Sequence, residues 1–299
     1  MEQKGIIIKG LGGLYDVLCN GEITQCRARG LFRHENITPY VGDTVTFEDE
    51  YITDISDRKN SLIRPPMANL DTLFIVCAAK KPLPVPQTID KMISIADFKG
   101  IEPVIIITKK DLDAENAENL AEIYRKIGIE VFITEPDSDK SDLLAYFKEK
   151  CNSKISAFTG ASGVGKSTLL NALFPNLKLA TGDVSRKISR GKHTTRHVEL
   201  YPLNDLFEKD YKGFIADTPG FSMLDPTIYE DYTVDELPYT FREFEEFLGN
   251  CKYTKCTHTK EEGCAVLEAV REGIIPESRH QSYTELRDIL KNIHSWDKK

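Results

Sequence analysis

The residues best equipped for chemistry occupy positions 160–167 and read Gly160-Ala161-Ser162-Gly163-Val164-Gly165-Lys166-Ser167. This is G-x-x-x-x-G-K-[ST] in full, placed after the apolar run 155–158 and before the helix-forming stretch 168–173. A strand, a glycine loop and a helix start in that order make a phosphate cradle, because glycines let successive N–H groups turn toward one anion. The helix N-terminus adds partial positive charge. In such a cradle Lys166 reaches the β- and γ-phosphates and the Ser167 hydroxyl ligates Mg²⁺. A ligand-free glycine turn is the competing reading, and the complete motif in this context argues against it.

Two segments downstream could complete a triphosphate site. Asp217-Thr218-Pro219-Gly220 follows the short apolar run 214–216. A carboxylate at a strand end beside the cradle can hold the Mg²⁺ shell, and the Gly220 N–H can meet the γ-phosphate. Alone, D-x-x-G is a common turn. Gly191-Lys192-His193-Thr194-Thr195 lies in the polar stretch 180–197. Thr194 or Thr195 there could order the loop on the nucleotide, with Thr195 expected on Mg²⁺. The bland reading is a solvated basic loop.

Upstream, Thr108-Lys109-Lys110-Asp111 follows the apolar run 104–107. The Asp111 carboxylate can accept from guanine N1–H and the 2-amino group together. Adenine offers neither donor, so ATP would leave a carboxylate unpaired, a mismatch that discriminates strongly. Lys109 can lay its aliphatic stem over the base. By itself the motif is no more than a charged turn; beside a complete phosphate loop it points to GTP. Most GTPases place the phosphate loop first and the base motif later. Here the base motif comes first, so the nucleotide domain is circularly permuted, which is tolerated because domain termini often lie close together.

A second cluster is formed by Cys251, Cys256, His258 and Cys264. Three thiols and an imidazole within fourteen residues match a Cys₃His zinc site, closed by four protein ligands and therefore structural. The competing reading is three buried thiols and an exposed histidine. His34, His197, His280 and His294 show no partner spacing and read as surface residues.

These groups need elements to carry them. Residues 1–64 read as short strands separated by Gly12-Gly13, Asn20-Gly21 and Gly42-Asp43, which suggests a small OB-like barrel. From 65 to about 230, apolar strands at 73–77, 104–107, 130–133, 155–158 and 214–216 alternate with helices at 89–98 and 114–127. That alternation predicts a mostly parallel sheet covered on both faces. Residues 231–299 read as helices at 243–248, 265–271 and 283–293 around the Cys/His cluster. The expected architecture is thus multidomain: an N-terminal OB-like β-barrel, a central α/β circularly permuted P-loop domain, and a mostly helical zinc-binding C-terminal domain.

The permuted order, residues 160–168 with Thr168 closing the loop, residues 191–195, Asp217 to Gly220 and the Cys251/Cys256/His258/Cys264 spacing together resemble one family along essentially the whole chain. It is the ribosome small-subunit-dependent GTPase A family. Val41-Gly42-Asp43 and Arg64-Pro65 resemble its barrel and linker. Thr108 stands where the base motif more usually has Asn. The resemblance implies a GTP phosphohydrolase that binds GTP and GDP, is stimulated by the 30S subunit, contacts 16S rRNA, assists late 30S maturation and leaves after hydrolysis. It also points to His193 as the group that aligns the attacking water, because Phe221, in the place of the usual glutamine, cannot.

Composition limits the alternatives. The net charge of −8 excludes a generic polyanion binder. Residues 1–64 hold 8 Lys/Arg against 10 Asp/Glu, a balance of −2. A local patch could still meet RNA: Arg27, Arg29 and Arg33 flank Phe32, a ring able to stack on a base. No run approaches the ~20 apolar residues that cross a bilayer, and the N-terminus has no signal-peptide pattern. A cytoplasmic monomer without a membrane partner is expected. Two rivals are a P-loop ATPase or kinase acting on a small molecule, and a zinc-stapled RNA-binding module whose guanine site senses nucleotide but hydrolyses it weakly.

Overall fold

The computed structural model describes residues 2–30, 32, 37–177, 198–207, 211–217 and 233–292. The chain divides into two compact units, Met1–Phe74 with Pro136–Met223, and Ile75–Glu135 with Leu224–Lys299.

The first unit begins with five strands: β1 (Gln3–Leu11), β2 (Leu14–Cys19), β3 (Glu22–Ala28), β4 (Thr44–Glu48) and β5 (Tyr51–Ile55). They pair in the order β1-β2-β3-β5-β4, and β4 returns to β1, so the barrel closes. All pairs are antiparallel except β3 with β5. Closure removes the exposed edges an open five-stranded sheet would leave. The expected Gly12-Gly13 and Asn20-Gly21 turns both have positive φ at both residues, the primed geometry that matches strand twist. Asp49-Glu50 makes a third such turn without glycine. Ile7, Val17, Cys26, Val45 and Ile52 fill the interior at 0% exposure.

A short hairpin, β6 (Ser61–Leu62) with β7 (Met67–Ala68), follows the barrel. The Val41-Gly42-Asp43 corner is locked onto this segment. Asp43 is fully buried; Arg58 grips it through Nε and Nη2, both at 2.7 Å, while the Tyr40 N–H donates to it at 2.6 Å. Gly42 sits at φ 94°, where any Cβ would collide with the Ala68 carbonyl.

The α/β part contributes β8 (Thr72–Ala78), β9 (Glu102–Thr108), β10 (Glu130–Ile133), β11 (Lys154–Thr159), β12 (Glu199–Pro202) and β13 (Gly213–Asp217). β8 is buried along its whole length, as a strand covered on both faces must be. In the first unit β11 pairs parallel with β13, and β13 pairs antiparallel with β12. The expected mostly parallel sheet therefore acquires an antiparallel member, four residues long, that its sequence does not announce. β12 also pairs with β1 of the barrel at Lys9 and Glu199, whose side chains form an ion pair at 3.1 Å. Phe74, Phe147, Phe158 and Phe174 form a buried aromatic cluster, with Phe74 stacked on Phe147 at 4.5 Å and on Phe158 at 4.8 Å.

In the second unit β9 and β10 run parallel, with helices Pro86–Phe98 and Ala114–Lys126. Among the described residues its C-terminal part has two α-helices, Ala265–Arg271 and Glu277–Lys291. The helix expected at 243–248 is a 3₁₀ helix, Arg242–Phe247. Phe241 and Phe244 are both fully buried, and three residues per turn stacks them on one face. The last helix starts at Glu277, six residues before the expected start, because its first core-facing residue is Arg279 rather than an apolar one.

Candidate nucleotide site and metal centre

The phosphate loop leaves β11 after Thr159 and enters helix Lys166–Leu173. Gly160, Gly163 and Gly165 have φ of 158°, 83° and 95°. At Gly163 and Gly165 a side chain would be strained, which is the physical reason the motif needs glycine there. Val164 is buried at 3% exposure and pins the loop from below. Its N–H reaches the Ala161 carbonyl at 3.4 Å, and Ser162 is exposed. Phe158 and Phe174, at the two ends of this strand–loop–helix unit, belong to the aromatic cluster, so the loop is mounted on a rigid core. Lys166 and Ser167 are half-buried, and Thr168 is exposed on the first helical turn. β13 ends at Asp217 and is in register with β11 through Ala157 and Ala216. The backbone of Asp217 thus emerges beside the strand that feeds the phosphate loop. Gly191 to Thr195, including His193, Thr194 and Thr195, lie outside the described residues, as do Thr218 to Phe221, His34, His197 and His294.

The base motif sits at the C-terminal end of β9. The buried Thr108 hydroxyl donates to the Cys77 carbonyl at 3.1 Å, and the Thr108 carbonyl accepts from the Ala79 N–H at 2.8 Å. Lys109 adopts φ 58°, and its ammonium donates to the Lys81 carbonyl. The Lys110 N–H donates to the Thr134 carbonyl at 3.3 Å, and the Thr134 N–H donates to Ile107. Asp111 is exposed in the 3₁₀ turn Lys110–Leu112. Asp113 closes the turn by capping helix Ala114–Lys126 through the Asn116 N–H and pairing with Lys80 at 3.1 Å. The turn is therefore prebuilt, with one carboxylate left facing outward. The Ile133-Thr134 loop beside it supplies backbone rather than side-chain support, which is why sequence says little about it.

The metal cluster is compact. One ligand atom from each of Cys251, Cys256, His258 and Cys264 lies within 4.8 Å of every other. Cys251 Sγ and Cys264 Sγ are 3.8 Å apart, and each is 3.5 Å from His258 Nδ1. A tetrahedron with Zn–S of about 2.3 Å and Zn–N of about 2.05 Å has edges of about 3.8 Å and 3.6 Å. The donor set therefore fits zinc, with Nδ1 as the histidine ligand. Burial and the neighbouring sulfurs push the Cys256 thiol up to about 12. Thiols this close ionise together only with a cation between them. Burial, with the nearby His280 and Arg287, lowers His258 and keeps it neutral, the form a ligand requires.

Two sequence readings are corrected here. His280 is not a free surface residue: it is half-buried, and its Nε2 bonds the His258 carbonyl at 2.7 Å. Phe32 is only 6% exposed, so its ring is not available to stack on a base beside the exposed Arg27 and Arg29. Sequence reasoning also missed Glu261, which gathers the amides of the metal loop. Nothing in its spacing from the cysteines marks it.

A phosphate loop on a strand–loop–helix unit, preceded in the chain by the Thr108–Asp111 turn and joined to a closed barrel and a Cys₃His region, defines a circularly permuted P-loop GTPase. The RsgA GTPase family model matches residues 55–227, and the RsgA N-terminal domain model matches residues 4–54. Small ribosomal subunit biogenesis GTPase RsgA of Caldanaerobacter subterraneus subsp. tengcongensis is 44% identical over 295 residues, covering 96% of this chain and 95% of that protein. RsgA 2 of Listeria monocytogenes is 42% identical over 298 residues, covering 97% and 98%. Among solved structures, YjeQ from Thermotoga maritima is similar at TM-score 0.79 and 32% identity, covering 98% and 100%. The circularly permuted GTPase YloQ is similar at TM-score 0.75 and 37% identity, covering 98% and 96%. The chain belongs to the RsgA GTPase family.

Proposed function

We propose that this chain hydrolyses GTP on the small ribosomal subunit, acts late in 30S maturation, and leaves once GTP is spent. The observation that carries this reading is the complete phosphate loop at 160–167 mounted between β11 and helix Lys166–Leu173. Relatives of 42–44% identity named for small-subunit biogenesis support the ribosomal setting.

In this reading the amides of Gly160 to Thr168 and the Lys166 ammonium hold the phosphates, with Gly220 on the γ-phosphate. Asp111, supported by Thr108, Lys109 and Lys110, reads guanine. Ser167, Thr195 and Asp217 would hold Mg²⁺, which supplies charge neutralisation at the β- and γ-oxygens. His193 aligns the attacking water, and Thr194 helps order its loop. Cys251, Cys256, His258 and Cys264 hold one structural zinc. The exposed Arg27 and Arg29 suit contacts to 16S rRNA phosphates. The work divides among a barrel at 1–64, the permuted GTPase domain at 65–230 and the zinc-binding region at 231–299. No helix among the described residues is long and apolar enough to cross a membrane, and we place the protein in the cytoplasm as a monomer.

Phosphate release from GTP, measured with and without purified 30S subunits and with ATP as competitor, tests this. Slow release by the free protein, a large increase on 30S and indifference to ATP are expected. No release above background on 30S subunits, or equal competition by ATP, would sink the reading.

A further inference from the structure

The ligand His258 sits at φ 57°, a left-handed conformation that is unfavourable for a residue with a side chain. Something must hold the backbone there before or while the metal binds. One carboxylate takes up most of the local donors. Glu261 Oε1 accepts from the Thr257 N–H at 2.9 Å and from the Thr257 hydroxyl. Its other oxygen accepts from the N–H groups of Thr259 at 3.0 Å and Lys260 at 3.1 Å. The last helix takes the acceptors: Tyr283 donates to the Thr257 carbonyl at 2.9 Å, and His280 bonds the His258 carbonyl at 2.7 Å. The peptides on both sides of His258 are thus fixed, and both Glu261 oxygens are used.

We propose that Glu261 is a positioning residue for the metal centre, presetting the backbone that presents His258 and thereby setting how tightly and how long zinc is held. It touches no ligand side chain directly. The metal's outer supports are worth about 10–100-fold in affinity where this has been measured, and a carboxylate that satisfies four donors belongs in that class. Burial alone would raise its carboxyl, but the Thr257 hydroxyl and the surrounding amides outweigh it and hold Glu261 ionised well below the usual carboxylate range. An amide in its place would set an NH₂ group against the Thr259 and Lys260 N–H groups or, flipped, against the Thr257 N–H, so glutamine should rescue poorly.

The inference rests on the cluster being a zinc site, and the experiment separates the two. A cleft of about 690 Å³ lined by Cys256 and His258, with Tyr253 and Arg287, gives a small chelator access to the metal without unfolding. Zinc transfer from the full-length protein to a chromogenic chelator is followed for wild type, Glu261→Ala, Glu261→Gln and the exposed control Glu262→Ala. Release should be at least tenfold faster in Glu261→Ala and nearly as fast in Glu261→Gln, with Glu262→Ala unchanged. The cobalt-substituted Glu261 variants should show altered d–d absorption, which a general loss of stability would not produce. Wild-type protein without bound zinc would remove the metal reading itself. Zinc-loaded Glu261 variants with wild-type release and cobalt spectrum, even if less thermostable, would overturn the positioning role. If Glu261→Ala does not fold, the isosteric Glu261→Gln decides by the same two readouts.

Discussion

Arg279 offers the sharpest test of what holds the second unit together. Its side chain is 0% exposed. Nη1 donates to Asp90 Oδ1 at 2.8 Å, and Nε and Nη2 donate to the two Glu243 oxygens at 2.7 and 3.2 Å. The guanidinium also lies 4.6 Å from the Phe241 ring centre. Asp90 is 1% and Glu243 5% exposed, so each carboxylate depends on this one cation. Arg279→Met would leave both buried without a counter-charge. Removing one partner of such a group costs about 3–5 kcal/mol, and the lost cation–π contact adds about 1 kcal/mol. A loss of about 5 kcal/mol corresponds to a melting point lower by on the order of 10 °C or more. Burial already raises the Asp90 carboxyl despite Arg279. With the arginine gone Asp90 takes a proton more easily still, so the deficit should shrink as pH falls from 7 toward 4. The triple variant Asp90→Asn, Arg279→Met, Glu243→Gln should recover to within about 1 kcal/mol of wild type, because the charge that needed a partner is gone. Thermal melts and native-state hydrogen exchange in helix Glu277–Lys291 measure this. A single-variant loss under 1 kcal/mol, or a triple variant as unstable as the single, would refute the argument.

Asp111→Asn should weaken GTP binding by about a hundredfold and improve xanthosine triphosphate, since the amide can donate to the carbonyl that replaces the guanine amine; unchanged GTP selectivity in a competition assay would rule Asp111 out as the base reader. His193→Ala should lower 30S-stimulated hydrolysis by about a hundredfold or more while GTP and 30S binding persist, trapping the complex; normal turnover on 30S subunits would end the catalytic assignment. Burial pushes the Cys77 thiol up to about 12 and the Cys151 thiol up to about 11. Because the folded state holds these protons more tightly, their contribution to stability is complete below pH ~8.5 and is lost as pH rises toward 11–12. Thermal melts should stay level from pH 7 to 8.5 and fall above it, more shallowly in Cys77→Ala; parallel alkaline limbs would show that Cys77 takes no part.

What sequence reveals here depends on whether a residue's job is local. The Asn20-Gly21 turn, the phosphate-loop glycines and the four zinc ligands are legible because each acts within a few residues of itself. The buried run of β8 is legible because covering a strand on both faces leaves no room for polar alternation. Arg279 hides the start of its helix because a cation fills an apolar slot, and its partners Glu243 and Asp90, the latter 189 positions away in the chain, explain it. Phe32 reads as a stacking ring until the barrel takes it inside. Glu261 is silent because its partners are backbone amides, which leave no trace in side-chain pattern. β12 is too short to show a period, and one of its two neighbours, β1, lies 190 positions away in the chain.

That short strand has a consequence for anyone who cuts the gene. β12 pairs along its length with β13, and at Glu199 it also pairs with Lys9 of β1, the opening strand of the barrel. The barrel is therefore not a bead on a string. A truncated chain beginning after it would strip β12 of its partner at Glu199 and leave that edge open beside the strand that ends at Asp217. Such a rim recruits whatever extended peptide comes near, including its own copies. Losing the barrel would therefore raise the tendency of the truncated chain to self-associate, and a clipped variant that stayed dispersed would have had to refold its border to do so.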